Sequence, residues 1–116
     1  MATKAVTTAE FDEVTSGDGI VLIDFWAEWC GPCHRFAPVF ERVSEKHTDI
    51  TFAKVDTEAE PELSMRFRIN SIPTLMAVRD GVIVFQQAGA LPERMVEELI
   101  AKVRELDMED VKARAA

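Results

Sequence analysis

Cysteine is scarce in this chain. It occurs twice in 116 residues, as Cys30 and Cys33, so any thiol chemistry must use that pair. Positive charge is also short: 13 Lys and Arg stand against 21 Asp and Glu, a formal net charge of −8. Phosphate backbones are held by clustered Lys and Arg, so nucleic acid is not an expected partner. No apolar run approaches the ~20 residues that span a bilayer, and no membrane partner is expected. Met1 to Thr8 lacks the basic stretch and apolar core of a signal peptide, so the expected location is the cytoplasm. Structural disulfides are rare there, and cysteine pairs tend to be catalytic or metal-binding. Repeats, low-complexity tracts and interdomain linkers are missing too. The length suits one domain with one core.

What is present divides cleanly into elements. Thr7 and Glu10 fit a capping box, with Phe11 and Val14 on one face of a short helix. Ser16-Gly17-Asp18-Gly19 ends it. Ile20 to Ala27 is nearly continuous apolar sequence, the pattern of a strand covered on both faces. Phe36, Val39, Phe40 and Val43 mark a helix after Cys33, with Pro38 expected to kink it. Ile50 to Val55 reads as a strand and Pro61 to Phe67 as a short helix. Thr74 to Val78 and Val82 to Phe85 flank Asp80-Gly81, a hairpin signal. Pro92 suits a first helical position, before an amphipathic helix marked by Met95, Val96, Leu99, Ile100 and Val103. The order, with a short first strand, is (β)αβαβαββα, which implies an α/β mixed sheet with helices on both faces. Residues 1–106 form the expected domain, and 107–116 a polar tail or helical extension.

Cys30 and Cys33 stand two residues apart at a strand-to-helix junction, where two thiols can close a disulfide ring and reopen it. The thiolate is the attacking species, and a free cysteine with a pKa near ~8.5 is mostly protonated at neutral pH. Cys30 falls just before the helix, where unpaired N–H groups and the helix dipole favour an anion. It is the expected nucleophile. Cys33, one turn in, is expected to be more buried and to resolve the mixed disulfide. Gly31 permits close approach, and Pro32 stiffens the first turn. The competing reading is a zinc half-site, but a tetrahedral site takes about four ligands and only His34 and His47 offer further nitrogens.

The chain resembles the thioredoxin family. The matching pieces are Asp24 through Cys33, Pro38, Lys54-Val55-Asp56, Ser71-Ile72-Pro73-Thr74, Asp80-Gly81 and Gly89-Ala90, in family order across residues 5–106. The resemblance implies a thioredoxin fold: a mixed five-stranded sheet, or four strands plus a short edge strand, flanked by about four helices. It implies that Asp24 lies beneath Cys33 and helps deprotonate it, with Lys54 as its basic partner. From the residues alone, Asp24 reads as a core polar residue held by hydrogen bonds, whose pKa would rise if burial left it without a partner, and Lys54 reads as a snorkelling surface lysine. The resemblance further implies a cis Ile72-Pro73 peptide facing the cysteines, with the Ile72 backbone free to pair with an extended substrate. Trp29 then shields the disulfide and contacts partners, and Gly89-Ala90 forms part of the groove rim. His34 stands where many family members carry Lys or Arg.

The function this implies is a general protein-disulfide reductase working through a reversible Cys30–Cys33 disulfide. It binds no cofactor or metal of its own, and a thioredoxin reductase drawing on NADPH recharges it. Disulfide-bearing proteins are the implied substrates, and nothing demands more than a monomer. Two rivals stand beside it: a disulfide oxidase or isomerase, and a binding module in which redox is secondary.

Overall fold

A computed structural model describes residues 2–115. The elements run β1 (Thr3–Ala5), α1 (Thr8–Thr15), β2 (Ile20–Trp26), α2 (Gly31–Lys46), β3 (Thr51–Asp56), α3 (Pro61–Arg66), β4 (Thr74–Arg79), β5 (Val82–Ala88), α4 (Glu93–Glu105) and α5 (Met108–Ala115). The five strands form one mixed sheet in the order β1-β3-β2-β4-β5. β1, β3 and β2 run parallel, while β4 is antiparallel to both β2 and β5.

The central strand explains the apolar run in the sequence. β2 is buried from Ile20 through Phe25 because helices cover both faces of the sheet. Its side chains alternate between two cores. Ile20 and Leu22 pack with Phe36, Phe40 and Val43 of α2 and Val96 and Ile100 of α4. Val21, Ile23 and Phe25 pack with Phe11 of α1 and Leu63 of α3. By the same alternation, Asp24 shares a face with Leu22, on the side of α2 and α4.

Local chemistry sets the joints. Glu10 accepts the Thr7 backbone N–H at 3.0 Å, which starts α1. The β4–β5 hairpin turns through Asp80 (φ 53°) and Gly81 (φ 82°), the two positive φ values of a type I′ turn. Asp80 Oδ1 also accepts the Gly19 N–H at 2.7 Å, and this ties the hairpin to the loop entering β2.

Several boundaries depart from the sequence expectation. Pro92 is the N-cap of α4, not its first helical residue, since its extended backbone (ψ 155°) lies outside the helix. β5 runs three residues beyond Phe85, to Ala88. α2 passes through Pro38, where the missing N–H deprives the His34 carbonyl of its usual donor. The polar tail is helical: α5 is a fifth helix, starting where Asp107 Oδ1 accepts the Asp110 N–H at 3.2 Å. It buries no residue fully.

Candidate functional site

The site lies at the C-terminal end of β2, where the chain leaves the sheet and starts α2. Cys30 is the N-cap of α2, with an extended backbone (φ −92°, ψ 108°), and its sulfur accepts the Cys33 N–H at 3.1 Å. That bond takes one of the helix's orphan donors and points it at sulfur. Cys30 and Cys33 are joined as a disulfide, with Cα atoms 5.2 Å apart. Cys30 Sγ also lies 3.6 Å from the Ile72 carbonyl oxygen. The two cysteines, Ala27, Trp26 and Ile72 make a small cluster, and Ile72 also packs against the core that holds Phe25 and Leu63.

The expected difference in burial is not found. Cys30 is 3% exposed and Cys33 2%, so burial does not separate them. Access does. Cys30 lines an open concavity of about 650 Å³, and Cys33 is not among its lining residues.

Trp29, Gly31, Pro32 and Ile72 line the same concavity. Trp29 is 70% exposed and stands over the groove rather than in a core. An added Cβ at Gly31 would meet only the Arg35 guanidinium, at 3.7 Å. Nothing inside the chain therefore demands glycine there, and any such demand comes from the open side. The Ile72-Pro73 peptide is cis and Pro73 is buried. Gly89 and Ala90 are exposed and do not line the concavity, although the Gly89 N–H donates to the Pro73 carbonyl at 2.7 Å. Gly89 has φ +112°, and the space a Cβ would occupy there is open. Gly89→Ala is therefore expected to destabilise the fold by roughly 1–3 kcal/mol through backbone strain alone. Urea denaturation checks this, and an unchanged midpoint would refute it.

Asp24 is wholly buried, and neither carboxylate oxygen has a hydrogen-bond partner in the chain. Burial pushes its pKa up to about 7, against a smaller opposing pull from Lys54. Lys54 sits opposite Asp24 in the β2–β3 register. No ion pair closes between them among the described residues. The Lys54 ammonium lies instead over the Trp26 ring, 5.0 Å from its centroid. His34 is turned away from the open groove: Nε2 lies 2.6 Å from the Glu28 carbonyl oxygen, with the ring edge-on to Trp26.

The second wall of the groove is not evident from the sequence. Thr57 and Glu58 come from the loop after β3, Met65 from α3, and Ile69 and Asn70 from the chain leading to Ile72. Met65 is 78% exposed. A signal does exist, because Leu63 carries the core face of α3 and Met65 lies off it. Among the described residues no group of three or more His, Cys, Asp or Glu side chains could hold a metal ion. The zinc alternative thus finds no ligand set there.

The thioredoxin family model matches residues 2–104. The chain belongs to the thioredoxin family. A Streptomyces coelicolor protein named "Putative thioredoxin 2" is 51% identical over 99% of this chain and 86% of its own length. A thioredoxin of Alicyclobacillus acidocaldarius is 44% identical over 88% of this chain and 98% of its own. The solved thioredoxin of Plasmodium falciparum superposes with a TM-score of 0.80 at 40% identity, covering 86% of this chain and 98% of that one. This thioredoxin-family chain carries its cysteine pair as a C-x-x-C active site and is a thiol-disulfide oxidoreductase. No helix among the described residues is long and apolar enough to cross a membrane.

Proposed function

We propose that the chain is a general protein-disulfide reductase of the cytoplasm, working as a monomer through residues 1–106, with 107–116 as a helical extension. The Cys30 thiolate attacks one sulfur of a target disulfide. A Cys30–target bond forms, the target's S–S bond breaks, and the released sulfur takes a proton. Cys33, deprotonated with help from Asp24, then attacks Cys30 Sγ. The intramolecular disulfide forms and the second target sulfur leaves as a thiol. Two electrons have passed to the target. A thioredoxin reductase drawing on NADPH returns them, and the chain itself binds no cofactor.

The observation that carries this reading is the placement of Cys30. Cys30 lines an open groove, and its sulfur accepts a helix N-terminal N–H at 3.1 Å and has its resolving partner one turn away. Trp29, Gly31, Pro32 and Ile72 serve as the substrate surface beside it, with the buried Pro73 supporting Ile72 through the cis peptide and Gly89 and Ala90 at its edge. The Ile72 backbone next to the sulfur suits pairing with an extended target segment. Lys54, facing Asp24 across the register, holds that acid's proton affinity below what burial alone would give.

Insulin reduction coupled to a bacterial thioredoxin reductase and NADPH tests this. The expected result is catalytic NADPH consumption and insulin precipitation that both require this chain. Equilibration with a thiol buffer should give a potential on the reducing side of glutathione, where about 30 mV corresponds to ~1.4 kcal/mol for two electrons. A potential on the oxidising side would replace the reductase with an oxidase.

A further inference from the structure

The groove beside Cys30 holds one formally ionised side chain. Among its lining residues Trp29, Met65, Ile69 and Ile72 are apolar, several others are neutral and polar, and Glu58 alone is a carboxylate. Glu58 is exposed, and its carboxylate makes no ion pair or hydrogen bond among the described residues. Its backbone is nevertheless fixed: Asp56 Oδ1 accepts the N–H of Glu58 at 2.9 Å and of Ala59 at 3.3 Å. The neighbouring charges are engaged or lie elsewhere. Glu60 accepts from the Thr8 backbone and hydroxyl at 2.7 and 2.9 Å. Arg66 pairs with Asp12 at 2.9 Å and lies over the Phe67 ring. Arg68 lines an adjoining depression that does not include Cys30, and Arg35 stands near Gly31 but outside the lining. Glu58 is thus a free anion, held by its loop, in the same concavity as the reactive sulfur.

We infer that Glu58 selects among targets, favouring extended protein segments in which the attacked cysteine is flanked by a lysine or arginine. The inference rests on the reductase reading and names the substrate class for the same groove. A target cation meets the exposed Glu58 at the groove wall while the target sulfur meets Cys30. Apolar neighbours of that cysteine lie on Met65 and Trp29. An acidic flank would instead face a like charge, and the chain's net charge of −8 adds repulsion at longer range. The electrostatic gain acts in encounter and binding, so it enters KM and leaves the exchange step itself alone.

The test uses the reduced full chain and two disulfide-bonded peptides that differ only in a Lys or a Glu beside the attacked cysteine. The readout is the ratio of kcat/KM values for the two peptides within each variant, so a general loss of activity cancels. The wild-type chain should favour the lysine peptide by about fivefold at low salt, the size of one partly exposed ion pair. The preference should shrink as salt rises. Glu58→Gln should bring the ratio close to one, and Glu58→Lys should invert it. A wild-type ratio of one, or a ratio that Glu58→Gln leaves unchanged, overturns the inference. Uncharged hydroxyethyl disulfide, offered to the wild-type chain, separates the two readings. Its reduction with no peptide preference sinks only the role of Glu58, whereas its survival sinks the reductase reading itself.

Discussion

Cys33→Ser should convert a turning-over enzyme into a trap. With Cys30 intact, the first exchange proceeds and each chain takes up one target through a Cys30–target disulfide. The second exchange has no thiol to perform it, so the mixed disulfide accumulates to about one equivalent. Non-reducing gels and mass spectrometry would show it. Cys30→Ser should instead leave no adduct and reduce insulin turnover by about a thousandfold or more, since the nucleophile itself is gone. The asymmetry is the content of the prediction, and it comes from geometry. The two cysteines are equally buried, but only Cys30 lines the groove, and only its sulfur accepts the Cys33 N–H at 3.1 Å. The resolving step is fast in the wild type because the second sulfur is already in place, with Cα atoms 5.2 Å apart. Positioning of this kind reaches effective concentrations on the order of 10⁵ M or more. Trapping through Cys33 in the Cys30→Ser variant would reverse the assignment, and near-normal turnover of Cys33→Ser would remove the resolving role.

What is legible in the sequence is what one segment decides alone. The run from Ile20 is apolar because β2 lies between two helical layers that bury both of its faces. Asp80-Gly81 sets its hairpin through two positive φ values that few residue pairs adopt. Expectation and structure part where distant segments meet. Cys30 meets the carbonyl of Ile72, forty-two residues away, at 3.6 Å and packs in one cluster with it, a contact no local pattern contains. The wall formed by Glu58 and Met65 exists because the loop after β3 and α3 lie across from Cys30; the off-core position of Met65 marks it as exposed, but no local pattern says what it faces. Pro92 falls one residue outside its expected place because proline's fixed φ suits both an N-cap and a first helical position. The tail reads equally as coil or helix because it has little apolar surface to bury, and α5 indeed buries no residue fully.

Asp24→Asn should make the oxidised protein more stable and the enzyme slower, and both effects should depend on pH. The carboxyl is buried without a hydrogen-bond partner, and burial raises its pKa from 3.8 to about 7. Lys54 opposes this only weakly, since its ammonium rests on the Trp26 ring and not on the acid. The folded form therefore binds more protons than the unfolded chain between pH 4 and 7. Folding stability contributed by this group falls as pH rises across that window and levels off above it. The gap between 3.8 and about 7 corresponds to roughly 4 kcal/mol at alkaline pH. At pH 4 the folded acid is neutral and the unfolded one about half ionised, so the asparagine variant should differ far less from the wild type than at alkaline pH, and least well below pH 4. The measurement is urea denaturation of the disulfide form at pH 4 and pH 8.5, where no cysteine titrates and other groups cancel between the two proteins. The advantage of the variant should grow by roughly 4 kcal/mol between those two points. Catalysis should move the other way. If Asp24 is the proton acceptor for Cys33, as proposed, its loss should lower kcat/KM for insulin by roughly tenfold to a hundredfold at neutral pH. The inflection near pH 7 should also vanish from the rate profile. A stability difference that stays flat with pH would show that Asp24 is solvated or paired after all. A retained inflection with the stability gain present would leave it a buried acid with no part in the exchange.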